Sequence, residues 1–378
     1  MRFHASFAVI AIALAEAPTS AEDAQDGMEQ HHHVIDTPAF RIPGLDLSGD
    51  LRVQGELNSP VKDARDRWRS EFRARIRATY RVSSSLTIGA QIENGEPEDP
   101  DSADIALSNV DDYLDPTLDQ AWARYTQGDL TAVAGKFPQI FKQTDMVWDA
   151  DFAPKGVGAT YGKHLSNAYL EARATYFVID NDTASDSDMI GGQVLLMAAL
   201  SPVLNLTLAG SYYHYRLGSV AQPDSEDIQG NIVALGRYLS DFRLAGGLAA
   251  LNWNGLTPRW PIAVTLDYVR NLGAAVSTDT AVNFELVAGR TEKRGDWRIA
   301  YNYARVGVDA IFAAFAHDNL SLATNYKLHG LSIAHAPAKD MVVDFMVYRY
   351  RPLDPLYAGT NNPAAWLNRV RLNFLVNF

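Results

Sequence analysis

The chain has 378 residues, which is enough for two globular domains or for one large barrel. It contains no cysteine, and this excludes disulfide bridges and thiolate metal sites. Its net charge of -12 is opposite to the basic balance that nucleic-acid binding favours, so we predict no nucleic-acid partner.

The N-terminus has the pattern of an export signal. Arg2 is followed by the apolar stretch Phe7–Ala15 and then by small residues that end at Ala21. A basic start, a short apolar region and a cleavage site made of small residues are typical of secretory signal peptides. We therefore predict a signal peptide over residues 1–21 that is cleaved after export, with a buried N-terminal helix as the alternative.

Residues 22–44 are polar and mixed, and we predict that they form a flexible periplasmic tail before a barrel that spans residues 45–378. Three adjacent histidines, His31, His32 and His33, could collect a metal ion there. A solvated tail is the favoured interpretation, and we predict no resident metal and no cofactor for the chain.

Residues 67–82 alternate strictly between two kinds of side chain. Trp68 and Tyr80 mark the two ends of a largely apolar face, and six arginines fall on the other face. A helix would scatter those arginines around its surface, whereas a strand places all six in one column. At about 3.3 Å per residue the two aromatic rings lie about 40 Å apart, which suits a tilted membrane strand with aromatic girdles.

The same alternation recurs along the chain and predicts sixteen strands. They are placed near 45–58, 67–82, 86–94, 118–127, 130–137, 157–163, 167–180, 188–200, 204–217, 242–254, 258–270, 280–291, 296–307, 321–336, 341–352 and 366–378. Short connections alternate with long polar ones, as in membrane barrels that have short periplasmic turns and long external loops. Asn231–Leu239 could be a further strand, but an even number is needed, so residues 218–241 are assigned to an external loop.

These strands predict an all-β fold, a transmembrane antiparallel β-barrel of about sixteen strands with one or more in-folded loops. Its apolar outer band would be satisfied by lipid, and closure would leave no unpaired backbone edge. At about sixteen strands the lumen is too wide for side chains to fill, so it would hold water. Passive diffusion of small solutes is the expected consequence, in an outer membrane whose lipid and lipopolysaccharide surround the barrel.

The chain ends on Phe378 within an alternating strand. This resembles the terminal signal that outer-membrane barrels present to the barrel assembly machinery, which we expect to recognise Phe378. Because the last strand should close on the first, Arg369 and Arg371 are expected beside Arg52 and the arginine column of the second strand. Together they predict an arginine wall, which acids such as Asp50 interrupt.

Basic residues on the inner columns are therefore the candidates for lining the pore and setting its selectivity. They are Arg52, Arg67, Arg69, Arg73, Arg75, Arg77, Arg81, Arg124, Lys136, Arg369 and Arg371.

Two connections are candidates for narrowing the lumen. Residues 95–117 are strongly acidic, and Glu98, Asp99 and Asp101 would face the arginine wall across a transverse field if this loop folded inward. The alternative leaves the acidic loop on the outer surface, where it would bind divalent cations. Residues 138–156 are rich in apolar side chains for an exposed loop, so we expect them to fold inward and pack. Their constriction candidates are Asp145, Trp148, Asp149 and Asp151.

Within this second loop the sequence resembles the putative porins of Gram-negative bacteria, which are distant relatives of the phosphate-selective porins. Gly135–Phe137 followed by Thr144–Gly156 is similar to the family pattern Gly-Lys-Phe, then Ser-Asp-Met-x-Trp-Asp-x-Asp-x-x-Pro-x-Gly. Weaker similarities extend from about residue 45 to the C-terminus. The resemblance implies a sixteen-stranded barrel, a homotrimer and passive transport, and leaves open a substrate-specific channel for anions, sugars or aromatic acids.

An outer-membrane barrel enzyme is the remaining class. Such an enzyme needs a nucleophile with a base within hydrogen-bond reach. The sequence has no G-x-S-x-G elbow and no H-E-x-x-H pair. His214 stands among three tyrosines, where a role at the membrane rim suits it better. We therefore predict that the chain is not an enzyme.

Overall fold

The computed structural model describes residues 42–59, 67–94, 104–107, 116–182, 185–218, 220, 230–358 and 365–378. The predicted signal peptide and most of the predicted tail, including His31–His33, lie outside the described residues. So do three of the constriction candidates, Glu98, Asp99 and Asp101.

Sixteen strands follow one another as an antiparallel meander. They are β1 Leu45–Asn58, β2 Arg67–Arg81, β3 Leu86–Glu93, β4 Thr117–Gln127, β5 Leu130–Lys136, β6 Lys155–His164, β7 Ala168–Asp182, β8 Ser185–Ser201, β9 Leu204–Arg216, β10 Arg243–Trp253, β11 Ile262–Asn271, β12 Thr280–Gly289, β13 Trp297–Val306, β14 Tyr326–Ala338, β15 Met341–Pro352 and β16 Leu367–Asn377. The predicted fold class is confirmed, and each predicted strand is present with bounds that differ by a few residues.

The sheet closes on itself through the first and last strands. β1 pairs with β16 from Asp50 opposite Asn377 to Asn58 opposite Arg369. The backbone of Phe378 continues this ladder, because it exchanges hydrogen bonds of 2.8 and 3.0 Å with Gly49. Closure removes the sheet edge, so the backbone of these strands is satisfied without water.

Three two-residue strands accompany the sixteen. Ile105–Ala106 pairs with β2. It takes the place beside β2 that β3 no longer occupies beyond Glu93. Val233–Ala234 and Arg237–Tyr238 form a separate hairpin with each other. The ambiguous segment 231–239 therefore adds no strand to the barrel. Residues 181–187, predicted as a long connection, are mostly strand, since β7 and β8 extend into them.

Side-chain exposure follows the alternation of the sequence. On β2, Trp68 is 63% exposed and Ile76 is 54% exposed, while Arg73 and Arg75 are 2% and 3% exposed. The apolar residues therefore form the outer band and the arginines point into the barrel. Within the described residues no helix is long and apolar enough to cross a membrane.

The interior of the barrel is occupied in part by two connections that fold inward. We call residues 137–154, between β5 and β6, the first inward loop, and residues 307–325, between β13 and β14, the second inward loop. Both connections leave the same end of the barrel, the end that carries the long connections. Their buried side chains form the main apolar cluster of the protein.

Candidate permeation pathway and its inward loops

The first inward loop crosses the lumen from one wall to the other. Thr144 donates from its backbone N–H and from its hydroxyl to the carboxylate of Asp267 on β11, over 3.2 and 2.9 Å. At the opposite wall, Asp151 accepts from Arg73 and Arg75 of β2, over 3.3 and 2.6 Å. Because β2 and β11 stand on opposite sides of the sixteen-stranded cylinder, this loop spans the interior, as its apolar sequence predicts.

Trp148 holds the middle of this loop against the wall. Its side chain is fully buried, and its indole N–H donates to the hydroxyl of Tyr215 on β9 over 2.7 Å. A buried indole N–H usually has such an acceptor, because leaving it unpaired costs free energy. Trp148 also packs on Tyr213, with ring centroids 4.9 Å apart.

The second inward loop is fixed by polar contacts from the segment that precedes β10. The amide of Asn231 donates to the carbonyls of Val308 and Ile311, over 2.9 and 3.0 Å. The carboxylate of Asp309 accepts from the hydroxyl of Ser240 over 2.6 Å. The inward path of this loop was not predicted from the sequence. Its signal was the apolar run 310–316 inside an otherwise external connection, the same kind of signal that identified the first loop.

The two inward loops also bind each other. The backbone N–H of Asp149 donates to the carbonyl of Phe315 over 2.7 Å, and the rings of Phe152 and Phe315 lie 4.2 Å apart. Around this junction is an aromatic cluster that joins both loops to the wall. Its members are Phe141, Trp148, Phe152, Phe177, Tyr213, Tyr215, Phe242, Phe312 and Phe315. The cluster fills the side of the lumen beside β7–β10.

The arginine column of β2 is paired with acids from two directions. Asp50 of β1 is fully buried and contacts Arg73, Arg75 and Arg77, at 3.1, 2.9 and 3.2 Å. Asp151 of the first inward loop contacts the same Arg73 and Arg75. At Asp151, acid and arginines therefore touch directly, with no gap between them.

Arg369 and Arg371 make a similar connection to the second inward loop. Arg371 donates to Glu56 on β1 over 2.7 Å and to the side-chain oxygen of Asn319 over 2.6 Å. Arg369 donates to the backbone carbonyl of Asp318 over 3.1 Å. Each inward loop is thus tied to the basic residues of the inner wall.

The remaining basic candidates are distributed along the wall. Arg52 forms an ion pair with Asp104, a residue of the acidic connection. Lys136 pairs with Asp119 over 2.6 Å and stays 29% exposed. Arg124 lies over the ring of Trp122, at 4.6 Å from its centroid.

The other three candidates also lie on β2. Arg67 and Arg81 are exposed at the two ends of the strand, and Arg69 is half-buried between them. The inward set and its acids give the pathway a mixed charge rather than a purely positive one.

Burial changes the charge that the inward loops can carry. Burial, with Asp145 and Asp151 nearby, raises the pKa of Asp149 well above its usual range. Burial also lowers the pKa of His317 to about 4, so this imidazole is neutral near pH 7. His317 shares a hydrogen bond of 2.7 Å with the hydroxyl of Tyr326. The junction of the loops therefore carries less charge than its sequence suggests.

A polar pocket lies between the inward loops and the wall formed by β12–β15. Arg298 donates to Asp344 over 3.0 Å at its floor, and Asp145 and His317 border it from the loops. Its other polar lining residues are Asn283, Glu285, Asn302, Asn319, Ser332 and Tyr348. In the part of the chain that the structure describes, no group of three or more His, Asp or Glu residues could hold a metal ion.

Comparison with known proteins agrees with this architecture. Residues 23–233 match a family model described as putative porin. Comparison with curated protein sequences gives no match.

Among solved structures, Salmonella typhi OmpF in complex with daunomycin has a TM-score of 0.52 and 13% identity, over 88% of this chain and 97% of that one. A loop L8 deletion mutant of OmpT, an outer membrane protein of Vibrio cholerae, has a TM-score of 0.51 and 12% identity, over 88% and 99% of the two chains. At these identities the likeness shows the barrel fold alone.

Proposed function

Because the chain belongs to the putative porin family, we propose that it is a water-filled channel through which small hydrophilic solutes and ions diffuse across the outer membrane. One observation carries this proposal. A closed sixteen-stranded barrel has polar inner columns, and two inward loops narrow its lumen without being part of its wall. Family and fold indicate a channel rather than an enzyme.

We place the open path beside β1–β5, opposite the aromatic cluster. Arg77 and Lys136 keep 19% and 29% of their side chains exposed there, and Arg124 is half-buried. Asp119 and Asp50 balance part of this charge. The proposed arginine wall therefore acts in two ways: Arg73 and Arg75 hold the first inward loop, and the more exposed bases contact passing ions. Only a weak preference between anions and cations is expected.

Planar-bilayer recording tests the proposal. The purified protein should insert in discrete steps, each adding the same conductance, and the current should rise linearly with voltage. Absence of steps above the bare bilayer would exclude the channel.

A substrate-specific channel is the second candidate, and the polar pocket beside Arg298 favours it. Asp344 balances Arg298, and the pocket presents amides, hydroxyls and the carboxylates of Asp145 and Glu285 among apolar side chains. Such a lining suits a hydroxyl-rich solute whose ring also has an apolar face. The same recordings decide between the two candidates. Block of the current by one sugar at about micromolar concentration indicates a specific site, and no block across a panel of solutes indicates a general pore.

We expect the variant Arg73→Gln/Arg75→Gln/Arg77→Gln to shift ion preference towards cations. It removes three positive charges from the inner wall, while Asp50 and Asp151 keep their negative charges. The reversal potential in a salt gradient measures the shift.

The matched control for this triple replaces three cations of the outer face, Arg305, Arg349 and Arg351, by Gln. It removes the same formal charge without touching the lumen, so its reversal potential should stay at the wild-type value. If the inner variant also keeps the wild-type value, those three arginines do not set the selectivity.

We further propose that three copies associate as a homotrimer. Small outward side chains on β4–β7 leave a shallow apolar groove on the barrel wall, which allows a second barrel to approach closely. Its alanines are Ala123, Ala132, Ala134, Ala159 and Ala174. Cross-linking in intact membranes should give a three-chain band, and replacing Ala134 and Ala159 by Phe should remove it.

Export and assembly follow from the two ends of the chain. We propose that the signal peptide, residues 1–21, directs export and is removed. Phe378 closes the ladder against Gly49, so its recognition by the barrel assembly machinery would bring the first and last strands together.

A further inference from the structure

The outer face of the barrel carries a row of cations near the end with the long connections. Arg305 of β13 stands directly opposite Lys327 of β14, and Lys327 stands directly opposite Arg351 of β15. Arg349 lies two residues before Arg351 in β15, and its side chain is on the same outward face. We call these four residues the cationic patch. Like charges directly opposite each other in neighbouring strands repel, so the patch is costly unless an anion offsets it.

Aromatic rings hold the cationic patch in place. The guanidinium groups of Arg349 and Arg351 lie 5.4 and 4.9 Å from the ring centroid of Trp366. The ammonium group of Lys327 lies 5.7 Å from the ring of Tyr303. These contacts orient the cations while leaving their hydrogen-bond donors outward, because a ring face accepts charge without occupying the donors.

No acid of the described residues forms an ion pair with the cationic patch. Outward arginines elsewhere at the same end do have acidic partners: Arg216 contacts Asp188 at 2.6 Å, and Arg270 contacts Asp279 at 2.9 Å. The connection from β15 to β16 contains a single acid, Asp354, which accepts the backbone N–H of Leu356 instead. The positive charge of the patch is therefore available to an external anion.

The cationic patch stands at the border of the apolar outer band. Leu331 and Phe345, further along β14 and β15 towards the short turns, are 44% and 46% exposed and face outward. Cations beside such a band lie where hydrocarbon gives way to lipid head groups. The long connections mark the outer side of a membrane barrel, so the head groups there belong to the outer leaflet.

We propose that the cationic patch binds the phosphate groups of lipopolysaccharide in the outer leaflet. Arginine recognises phosphate through paired N–H donors, and three neighbouring strands at about 4.8 Å spacing spread the donors over roughly 10 Å. This inference rests on the proposed outer-membrane location and orientation of the channel. Lipopolysaccharide binding on the outer face is separate from diffusion through the lumen, which does not require it.

The experiment measures binding of purified lipopolysaccharide to the detergent-solubilised full-length barrel. The patch variant is Arg305→Gln/Lys327→Gln/Arg351→Gln. The control variant is Arg216→Gln/Arg243→Gln/Arg270→Gln, which removes three exposed outward cations from the same end of the barrel. The patch variant should bind about tenfold more weakly than wild type, and the control should bind like wild type.

A second test uses dephosphorylated lipopolysaccharide with the wild-type protein and needs no variant. The dephosphorylated lipid should bind wild type as weakly as native lipopolysaccharide binds the patch variant, and rising salt should weaken only the native complex. Equal binding of the two lipids to wild type, or wild-type binding by the patch variant, would overturn the proposal. Channel conductance should be the same in wild type and both variants. A negative lipopolysaccharide-binding result can therefore be told apart from a failure of the proposed channel function.

Discussion

Deleting residues 144–153 should raise single-channel conductance by roughly two-fold or more, because the narrowest part of a pore limits its current. These residues contain the part of the first inward loop that reaches from Asp151 at β2 to Thr144 at β11. Lys136 and Lys155 are directly opposite each other in the ladder, so the few residues left between them can still close the hairpin. Planar-bilayer recording of the deletion variant and wild type measures the change.

A point variant supports the deletion if the shortened barrel assembles poorly. Trp148→Ala removes the fully buried ring that joins the first inward loop to β9, so the loop should detach and the conductance should rise. The matched control is Trp297→Ala, whose ring is 47% exposed on the outer face. Wild-type conductance in both the deletion variant and Trp148→Ala would mean that this loop does not narrow the path.

Replacing Asp50 by Asn should lower the free energy of unfolding by about 3 kcal/mol, because it removes the buried acid that three arginines of β2 share. Asp50 is fully buried and contacts Arg73, Arg75 and Arg77, so its replacement removes a negative charge that all three arginines share. Repulsion among the arginines should also loosen the first inward loop. Urea titration of the barrel in lipid vesicles measures the stability change.

The matched control is Asp188→Asn, which also removes an acid that pairs with an arginine of a neighbouring strand. Its partner Arg216 is 62% exposed, so water screens the charge that remains and stability should change little. If the Asp50 and Asp188 variants unfold at the same urea concentration as wild type, the buried ion network does not stabilise the barrel.

The barrel could be predicted because its signal is local. In β2 the side chains alternate over the whole strand, and each pair of neighbouring residues already indicates which faces lipid and which faces the lumen. The even strand number then excluded the segment 231–239, which the structure places in a separate short hairpin. The first inward loop was predictable for a similar reason, since Trp148 and its apolar neighbours are unfavourable in an exposed connection.

The second inward loop and the role of the arginines could not be predicted in the same way. The apolar run 310–316 showed that the segment prefers burial, but its place is set by Asn231, which is far away in the sequence. Asp151 reaches Arg73 across 78 positions, and this contact exists only because the loop crosses the lumen. Local patterning identifies which side chains face inward, whereas the partner of each charge depends on the path of the loops.

Cysteine substitution along β4 tests the central claim most directly, because the chain has no cysteine of its own. Trp122 and Arg124 point into the barrel, whereas Ala121, Ala123 and Tyr125 lie on its outer face, against lipid or a neighbouring barrel. A charged, water-soluble thiol reagent applied to intact membranes should modify single cysteines at positions 122 and 124 and reduce the current through the channel. It should leave positions 121, 123 and 125 unmodified, and equal labelling at all five positions would contradict a lipid-embedded cylinder around a water-filled path.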